Sequence, residues 1–215
     1  MKKLDLLTDI SMSILSQALN SFYNIEYENT ERLYEYCDKG FVLLPKHQSN
    51  LDIILEGLLL KSSINRHGHY IMKDSLPGIL EYVGGVPITR AREIKKLPKE
   101  MRLEKIAEAR KKSEEVYGKL ANLLKLNEIV VVHVEGKRQY QKKTKINTAN
   151  VQSLLDMQKK VGERVTFFPL DIKYEDIKKF RSEILLKVGE PIKVGDYGLE
   201  DLTYHLARNI ELLEA

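Results

Sequence analysis

The chain reads as an α/β protein: a mixed, largely parallel sheet flanked by helices and preceded by an amphipathic helical segment. Three observations predict this. Short apolar runs alternate with longer stretches of helical periodicity along most of the 215 residues. The run Ile129-Val130-Val131-Val132 is β-branched and unbroken, as in a strand buried on both faces of a sheet. Strands separated by helices imply layers of helix packed on that sheet.

At the amino terminus, Leu4, Leu7, Ile10, Ile14 and Ala18 recur at helical spacing, and Leu15, Leu19 and Phe22 widen the stripe. No charge falls between Asp9 and Glu26. Ser, Gln and Asn make the opposite face, which suits a lipid headgroup layer. Anchoring cations are few, so packing of the stripe on the rest of the domain is the favoured reading. The chain divides into an N-terminal helical segment, residues 1–36, the candidate for membrane association, and one main domain, residues 37–215. No repeat or long Gly/Ser/Pro linker divides it further.

Within the main domain, residues 41–44 read as a strand and 51–60 as the helix after it. A strand at 69–72 follows, then a short helix near 76–82 and a brief extended piece at 86–88. A long charged helix covers about 100–126, with Leu103, Ile106, Ala107, Val116, Leu120, Leu123 and Leu124 along one face. After the valine-rich strand come a buried strand at 165–172, a last strand at 184–188 and a C-terminal helix at 199–213.

Composition narrows the function classes. Hydrophobic residues make up 43% and charged residues 31%, which suits a folded core rather than a disordered chain. Thirty-five basic residues against 31 acidic ones give a net charge of +4, a bias that suits an anionic membrane surface or a phosphate-bearing substrate. The stretch from 90 to 119 mixes both signs at helical spacing, so it reads as a solvated face and not a nucleic-acid patch. The single cysteine, Cys37, cannot form an internal disulfide and is expected to be a buried apolar filler in a reducing compartment. No apolar run approaches the roughly 20 residues of a membrane span. Asp5 and Asp9 interrupt what would be a signal-peptide core. A cytoplasmic protein with at most a peripheral hold on the membrane is expected.

Ligand sites in sheets of this kind lie beyond the carboxyl ends of the strands. The loops after Leu44, Ile88 and Val134 are therefore the places to look, and these three segments, with a fourth inside a strand, carry unusual chemistry. The first is His47-Gln48-Ser49-Asn50-Leu51-Asp52. Two residues five apart on a helix point about 140° away from each other, so His47 and Asp52 meet only if His47 sits in the loop and Asp52 in the first helical turn. Ser49 or Asn50 would then cap the helix. A carboxylate there can accept the Nδ1–H of His47 and leave Nε2 basic, the arrangement that takes a proton from an attacking hydroxyl. On spacing alone, an exposed loop histidine and a helix-start charge are the commoner explanation.

The second segment is Gly84-Gly85-Val86-Pro87-Ile88-Thr89-Arg90, where two glycines allow close backbone approach and Arg90 offers a planar, five-donor head suited to phosphate. A turn ending in a solvated arginine explains it equally well. The third is Glu135-Gly136-Lys137-Arg138, able to bind hydroxyls and phosphate, or simply a charged turn. The fourth is Phe167-Phe168-Pro169-Leu170-Asp171, where Pro169 interrupts a strand; a buried edge or bulge is the commoner explanation. His67 and His69 flank Gly68 without a third metal-ligand type nearby and read as surface histidines. His133 reads as a strand-end residue whose side chain approaches the site.

Taken together, the order and spacing of these segments resemble the four-block pattern of the glycerophospholipid acyltransferases, which include lysophosphatidate (1-acylglycerol-3-phosphate) and glycerol-3-phosphate acyltransferases. The resemblance runs from His47 to about Tyr174. It implies that His47 is the general base and Asp52 its orienting partner. It also implies that Arg90, Glu135, Gly136 and Arg138 hold the glycerol-phosphate head, and that Pro169 shapes the acyl side; Lys137, a further cation after the same strand, reads as a phosphate ligand beside them. Gly84, Gly85 and Gly136 are candidate sources of backbone N–H groups for the oxyanion. The implied donor is acyl-CoA or acyl carrier protein, with no covalent acyl-enzyme, no metal and no cofactor. The implied acceptor is a glycerol-phosphate lipid precursor at the membrane surface, with the monoacylated form favoured by the short chain. Two blocks depart from the family: Thr89 stands where Asp is frequent, and His133-Val134 precedes Glu135 where Phe-Pro is common.

Overall fold

The computed structural model of the chain describes residues 2–73, 84–88, 98–135, 146–162, 165–194 and 198–214. In chain order, α1 (Lys2–Phe22) leads into β1 (Tyr23–Glu28) and a 3₁₀ helix (Thr30–Tyr36). These are followed by β2 (Phe41–Pro45), α2 (Asp52–Ile64), β3 (Gly68–Lys73) and β4 (Gly85–Ile88). Next come α3 (Lys99–Lys125), β5 (Ile129–Val131), α4 (Thr148–Val161) and β6 (Val165–Tyr174). The chain closes with β7 (Ser182–Val188), β8 (Ile192–Val194) and α5 (Leu199–Glu214).

Among the described residues these strands form one eight-stranded sheet in the order β1-β7-β6-β2-β5-β3-β4, with β8 paired to β6. Strands β4, β3, β5, β2 and β6 are mutually parallel; β7 and β8 run antiparallel to β6, and β1 is parallel to β7. Strand β2, at the centre, is buried along its whole length, as are β5 and the first eight residues of β6. Their unbroken apolar sequences are what burial on both faces demands.

Side-chain alternation divides the core into two layers. Phe41, Leu43, Ile129, Val131, Phe168, Leu170 and Ile172 pack with Leu55, Leu59 and Leu60 of α2 and Leu33 of the 3₁₀ helix. Val42, Leu44, Val130, Val132 and Phe167 pack with Val116, Leu120 and Leu124 of α3, Val151 and Leu154 of α4, and Leu202 and Leu206 of α5.

Several expectations need correction. The 1–36 segment is α-helical only to Phe22 and ends in a 3₁₀ helix. Tyr23, Ile25 and Tyr27 then alternate with Asn24, Glu26 and Glu28 in an edge strand paired with β7. Helix α4, capped by Asn147 through the N–H of Ala149, and the short strand β8 are additional elements. On α3 the buried stripe begins at Val116, while Leu103 and Ile106 on the earlier turns are exposed. Cys37 is exposed and not a core filler, because it caps the 3₁₀ helix whose buried residue is Leu33. The helix proposed near 76–82 lies outside the described residues.

Pro169 sits inside β6, a central strand, where its missing N–H would normally cost a ladder bond. Its carbonyl accepts from Gly189 N at 2.8 Å, so its nitrogen faces the same edge of the strand. On that edge β8 pairs as far as Phe167 and β7 begins at Leu170, and the proline fills the gap between the two pairings. Gly84 has a different constraint. Its φ is +93°, and a Cβ would lie 2.6 Å from the carbonyl oxygen of Gly68, so only glycine lets β4 start against β3.

Helix α1 packs on α2 by one face. Asp9 contacts Lys61 at 2.6 Å and His67 at 2.9 Å, and the Met12 side chain lies over Gly57. The opposite face leaves Ile10, Ile14 and Phe22 exposed. No helix among the described residues is long and apolar enough to cross a membrane.

Candidate active site

The parallel strands β2, β5 and β6 deliver their carboxyl ends to one edge of the molecule, and four polar side chains converge there. After Pro45, Lys46 N still bonds Leu170 O at 2.9 Å, so the chain follows β6 for one more residue. It then turns over β5, where the backbone N–H of His47 donates to Glu135 Oε2 at 2.8 Å. This fixes the histidine backbone just before α2 begins.

Asp52 is the first residue of α2 and is completely buried. Its Oδ2 lies 2.9 Å from His47 Nδ1 and accepts the backbone N–H groups of Gln48 at 2.6 Å and Ser49 at 2.7 Å. Its Oδ1 accepts the hydroxyl of Tyr174 from the end of β6. The Gln48 and Ser49 N–H groups and the Tyr174 hydroxyl all donate to this carboxyl group, and in its ionised form it can only accept. Nδ1 of His47 therefore carries the hydrogen, and the basic lone pair of the neutral ring is on Nε2. The helix dipole at the start of α2 adds to the stabilisation of the carboxylate.

The expected cap differs in detail. Leu51 occupies the position before α2, and neither Ser49 nor Asn50 caps the helix with its side chain. Instead Ser49 Oγ accepts from Leu51 N at 3.1 Å, and Asp52 reaches back to the loop that precedes it. Gln48 ties the same loop to β6 through Ile172 O at 2.7 Å.

Glu135 is 97% shielded from solvent, its relative exposure being 3%. Burial raises its carboxyl to about 7, and the His47 N–H, His133 and Lys46 only partly offset this. Its Oε1 is buried without a hydrogen-bond partner among the described residues, so it is an acceptor available to a ligand donor. Burial also raises Tyr174, and the adjacent Asp52 charge raises it further; it remains a donor throughout the neutral range.

The structure thus brings His47, Asp52 and Glu135 together. It adds three residues that the sequence motifs did not single out as site members: Tyr174, Glu56 and Gln48. His133, read from the sequence as approaching the site, stacks on His47 with ring centroids 4.2 Å apart. Pro169 lies in β6 opposite Leu44, one residue pair below the strand end. Gly84 and Gly85 lie at the amino end of β4, where backbone contact with β3 accounts for Gly84. Arg90, Gly136, Lys137 and Arg138 lie outside the described residues. His67 and His69 face Asp9 and Glu128. A groove between α3 and α4, lined by Arg110, Tyr117, Lys159 and Lys160, lies on the opposite face of the sheet from the dyad.

A doubly flanked sheet carries an imidazole–carboxylate pair at the carboxyl ends of its parallel strands, an arrangement able to move a proton. The sequence pattern of the Acyltransferase family matches residues 24–173, more than two thirds of the chain. The chain belongs to that family. The matched region starts within β1, which places the edge strand inside the family's common unit. No curated protein sequence matches the chain. Among solved structures, it superposes on the crystal structure of the 1-acyl-sn-glycerophosphate (LPA) acyltransferase PlsC from Thermotoga maritima. The TM-score is 0.57 at 20% identity, over 100% of this chain and 80% of that one. The likeness is one of fold: a mostly parallel mixed sheet between helical layers, with the N-terminal helix present.

Proposed function

We propose that the protein is an O-acyltransferase moving a fatty acyl chain from a thioester carrier, acyl-CoA or acyl carrier protein, to a hydroxyl of 1-acylglycerol-3-phosphate. Glycerol-3-phosphate is the alternative acceptor. The observation that carries this reading is the hydrogen bond between His47 Nδ1 and a fully buried Asp52, which makes Nε2 the basic nitrogen. An alcohol attacks a thioester slowly unless a base shares its proton, an effect worth roughly 10²- to 10⁴-fold.

In the proposed reaction His47 Nε2 accepts the hydroxyl proton while the alcohol oxygen bonds to the thioester carbonyl carbon. The tetrahedral oxyanion collapses, the C–S bond breaks, and the thiolate takes the proton from the imidazolium. Asp52 stabilises the imidazolium between these steps, and Tyr174 keeps Asp52 in place. Glu135 Oε1 is suited to accept a hydrogen bond from the acceptor hydroxyl. Arg90, Gly136 and Arg138 are assigned to the phosphate head on the strength of the family motif, Lys137 as a neighbouring cation, and Pro169 to the acyl side. The outward apolar stripe of α1 (Ile10, Ile14, Phe22) supports a peripheral hold on a membrane; the cytoplasmic face is the side proposed.

The test is mass spectrometry of products formed from acyl-CoA or acyl carrier protein with a panel of glycerol-phosphate acceptors. Acylated 1-acylglycerol-3-phosphate with release of one thiol per ester is expected, and it should vanish in His47→Ala. Free fatty acid without acylated acceptor would make the protein a hydrolase. Liposome binding without thiol release would make it a lipid-binding module.

A further inference from the structure

A second imidazole–carboxylate pair stands beside the first. His133 follows β5, and its Nε2 lies 3.0 Å from Glu56 Oε1. Glu56 is four residues after Asp52 on α2, so one helix face presents both carboxylates to the two histidines. The His47 and His133 rings are tilted by 39° with centroids 4.2 Å apart. Glu56 is completely buried between the apolar residues Leu55 and Leu58 of α2, a placement that is strongly unfavourable for a carboxylate without a cation. Nothing in the proposed acyl transfer needs this pair, yet it touches the base directly.

We propose that His133 and Glu56 form a second buried dyad that positions the His47 ring and sets the pH range over which His47 works as a base. The proposal rests on the reading of His47 as the base. Among the described residues, the groups that face His133 are Glu56 and Asp52 from α2, Glu135 from the chain after β5, and the His47 ring. Tyr70 of β3 and Tyr174 of β6 face Glu56, and Lys46 faces Glu135. Burial alone would strip the proton from His133, but the charge and hydrogen bond of Glu56, with Asp52 and Glu135 behind it, outweigh burial and hold His133 above the ordinary histidine value. A cation stacked on His47 opposes a second positive charge there, so the basic nitrogen stays open at lower pH. Glu56 balances the cation when the site is at rest. His133 thus acts through His47 and is a positioning residue.

Two measurements test this. The first is the pH dependence of kcat/KM. His133→Gln removes the cation and leaves Glu56 unpaired; both changes favour a proton on His47, so the acid limb moves up by at least half a pH unit. Glu56→Gln removes the anion and, by letting His133 give up its proton, the cation as well, so the limb moves less than in His133→Gln. A packing role alone would lower stability without moving the limb. The second is an NMR titration of protein with isotope-labelled histidines: in Glu56→Gln, His133 loses its proton at least one pH unit lower than in wild type. This readout needs no turnover, so it separates failure of the dyad from failure of the acyltransferase reading. An acid limb unmoved in folded His133→Gln, or a His133 titration unchanged in Glu56→Gln, overturns the proposal. Should His133→Gln fail to fold, the Glu56→Gln titration decides alone.

Discussion

Helices α2 and α3 carry charge in opposite ways. Helix α3 has 27 residues and dense Lys, Arg and Glu, yet its charges face solvent, and pairs such as Lys105–Glu108 are exposed. Helix α2 has 13 residues, most of them apolar, and its two carboxylates, Asp52 and Glu56, are both completely buried. In α3 the charges solubilise a helix that is held by Val116, Leu120 and Leu124. In α2 the charges are held by the rest of the molecule: Asp52 takes four donors and Glu56 takes a histidine. A carboxylate inside an apolar helix therefore signals function more strongly than any number of charges on a polar one.

That contrast can be broken by substitution. The largest effect is expected from Asp52→Asn, which loses the acceptor that fixes the His47 tautomer. Acyl transfer should fall by roughly 10²- to 10⁴-fold in kcat; a rate within threefold of wild type would remove Asp52 from the mechanism. On α3 the comparable loss comes from an apolar residue. Leu120→Ala leaves a cavity beneath a fully buried position and should cost about 3 kcal/mol in denaturant unfolding, with the chemical step unaffected.

Glu135 gives a pH-dependent effect of intermediate size. Its folded-state value is raised from 4.5 to about 7, so the folded protein binds its proton more tightly than the unfolded chain. Stability from this group is fully present below about pH 4.5 and is lost as the pH rises through about 7. Glu135→Gln keeps an acceptor for the His47 N–H and removes this loss. Relative to wild type it should gain about 2–3 kcal/mol between pH 5 and pH 8. Parallel stability curves for the two proteins would contradict the assignment. The smallest effect is expected from Lys105→Ala, which should leave both Tm and turnover unchanged within error, since exposed ion pairs contribute little.

Much of the fold was legible because buried strands and the long helices announce themselves by pattern. The valine-rich β5, the Phe-rich β6 and the α3 stripe from Val116 onward all lie where periodicity places them. The elements that escaped are those with weaker signals. Strand β1 is a six-residue edge strand exposed on much of its surface, directly joined to a helix. Helix α4 did carry a cap at Asn147 and apolar residues at Val151, Leu154 and Leu155, so its signal was present. Cys37 misled because residue type alone does not say which end of a 3₁₀ helix faces water.

Of the site, the His47–Asp52 contact could be reached from spacing and helix geometry, since both partners lie within six residues. Tyr174 could not. It is 122 residues from Asp52, and only the pairing of β6 with β2, Pro45 opposite Leu170, brings its hydroxyl to the carboxylate. Glu56 could have been suspected from its lone charge among Leu55, Gly57, Leu58 and Leu59. Its partner His133 depends on β5 lying next to β2, a fact of sheet order and not of local sequence.

The most direct test of the His47 assignment is the tautomer itself. In protein labelled with ¹⁵N-histidine at a pH where the ring is neutral, His47 should show a protonated, pyrrole-type Nδ1 and an unprotonated, pyridine-type Nε2. In Asp52→Asn that preference should weaken or reverse. A hydrogen on Nε2 in the wild-type protein, with Nδ1 bare beside Asp52, would contradict the account.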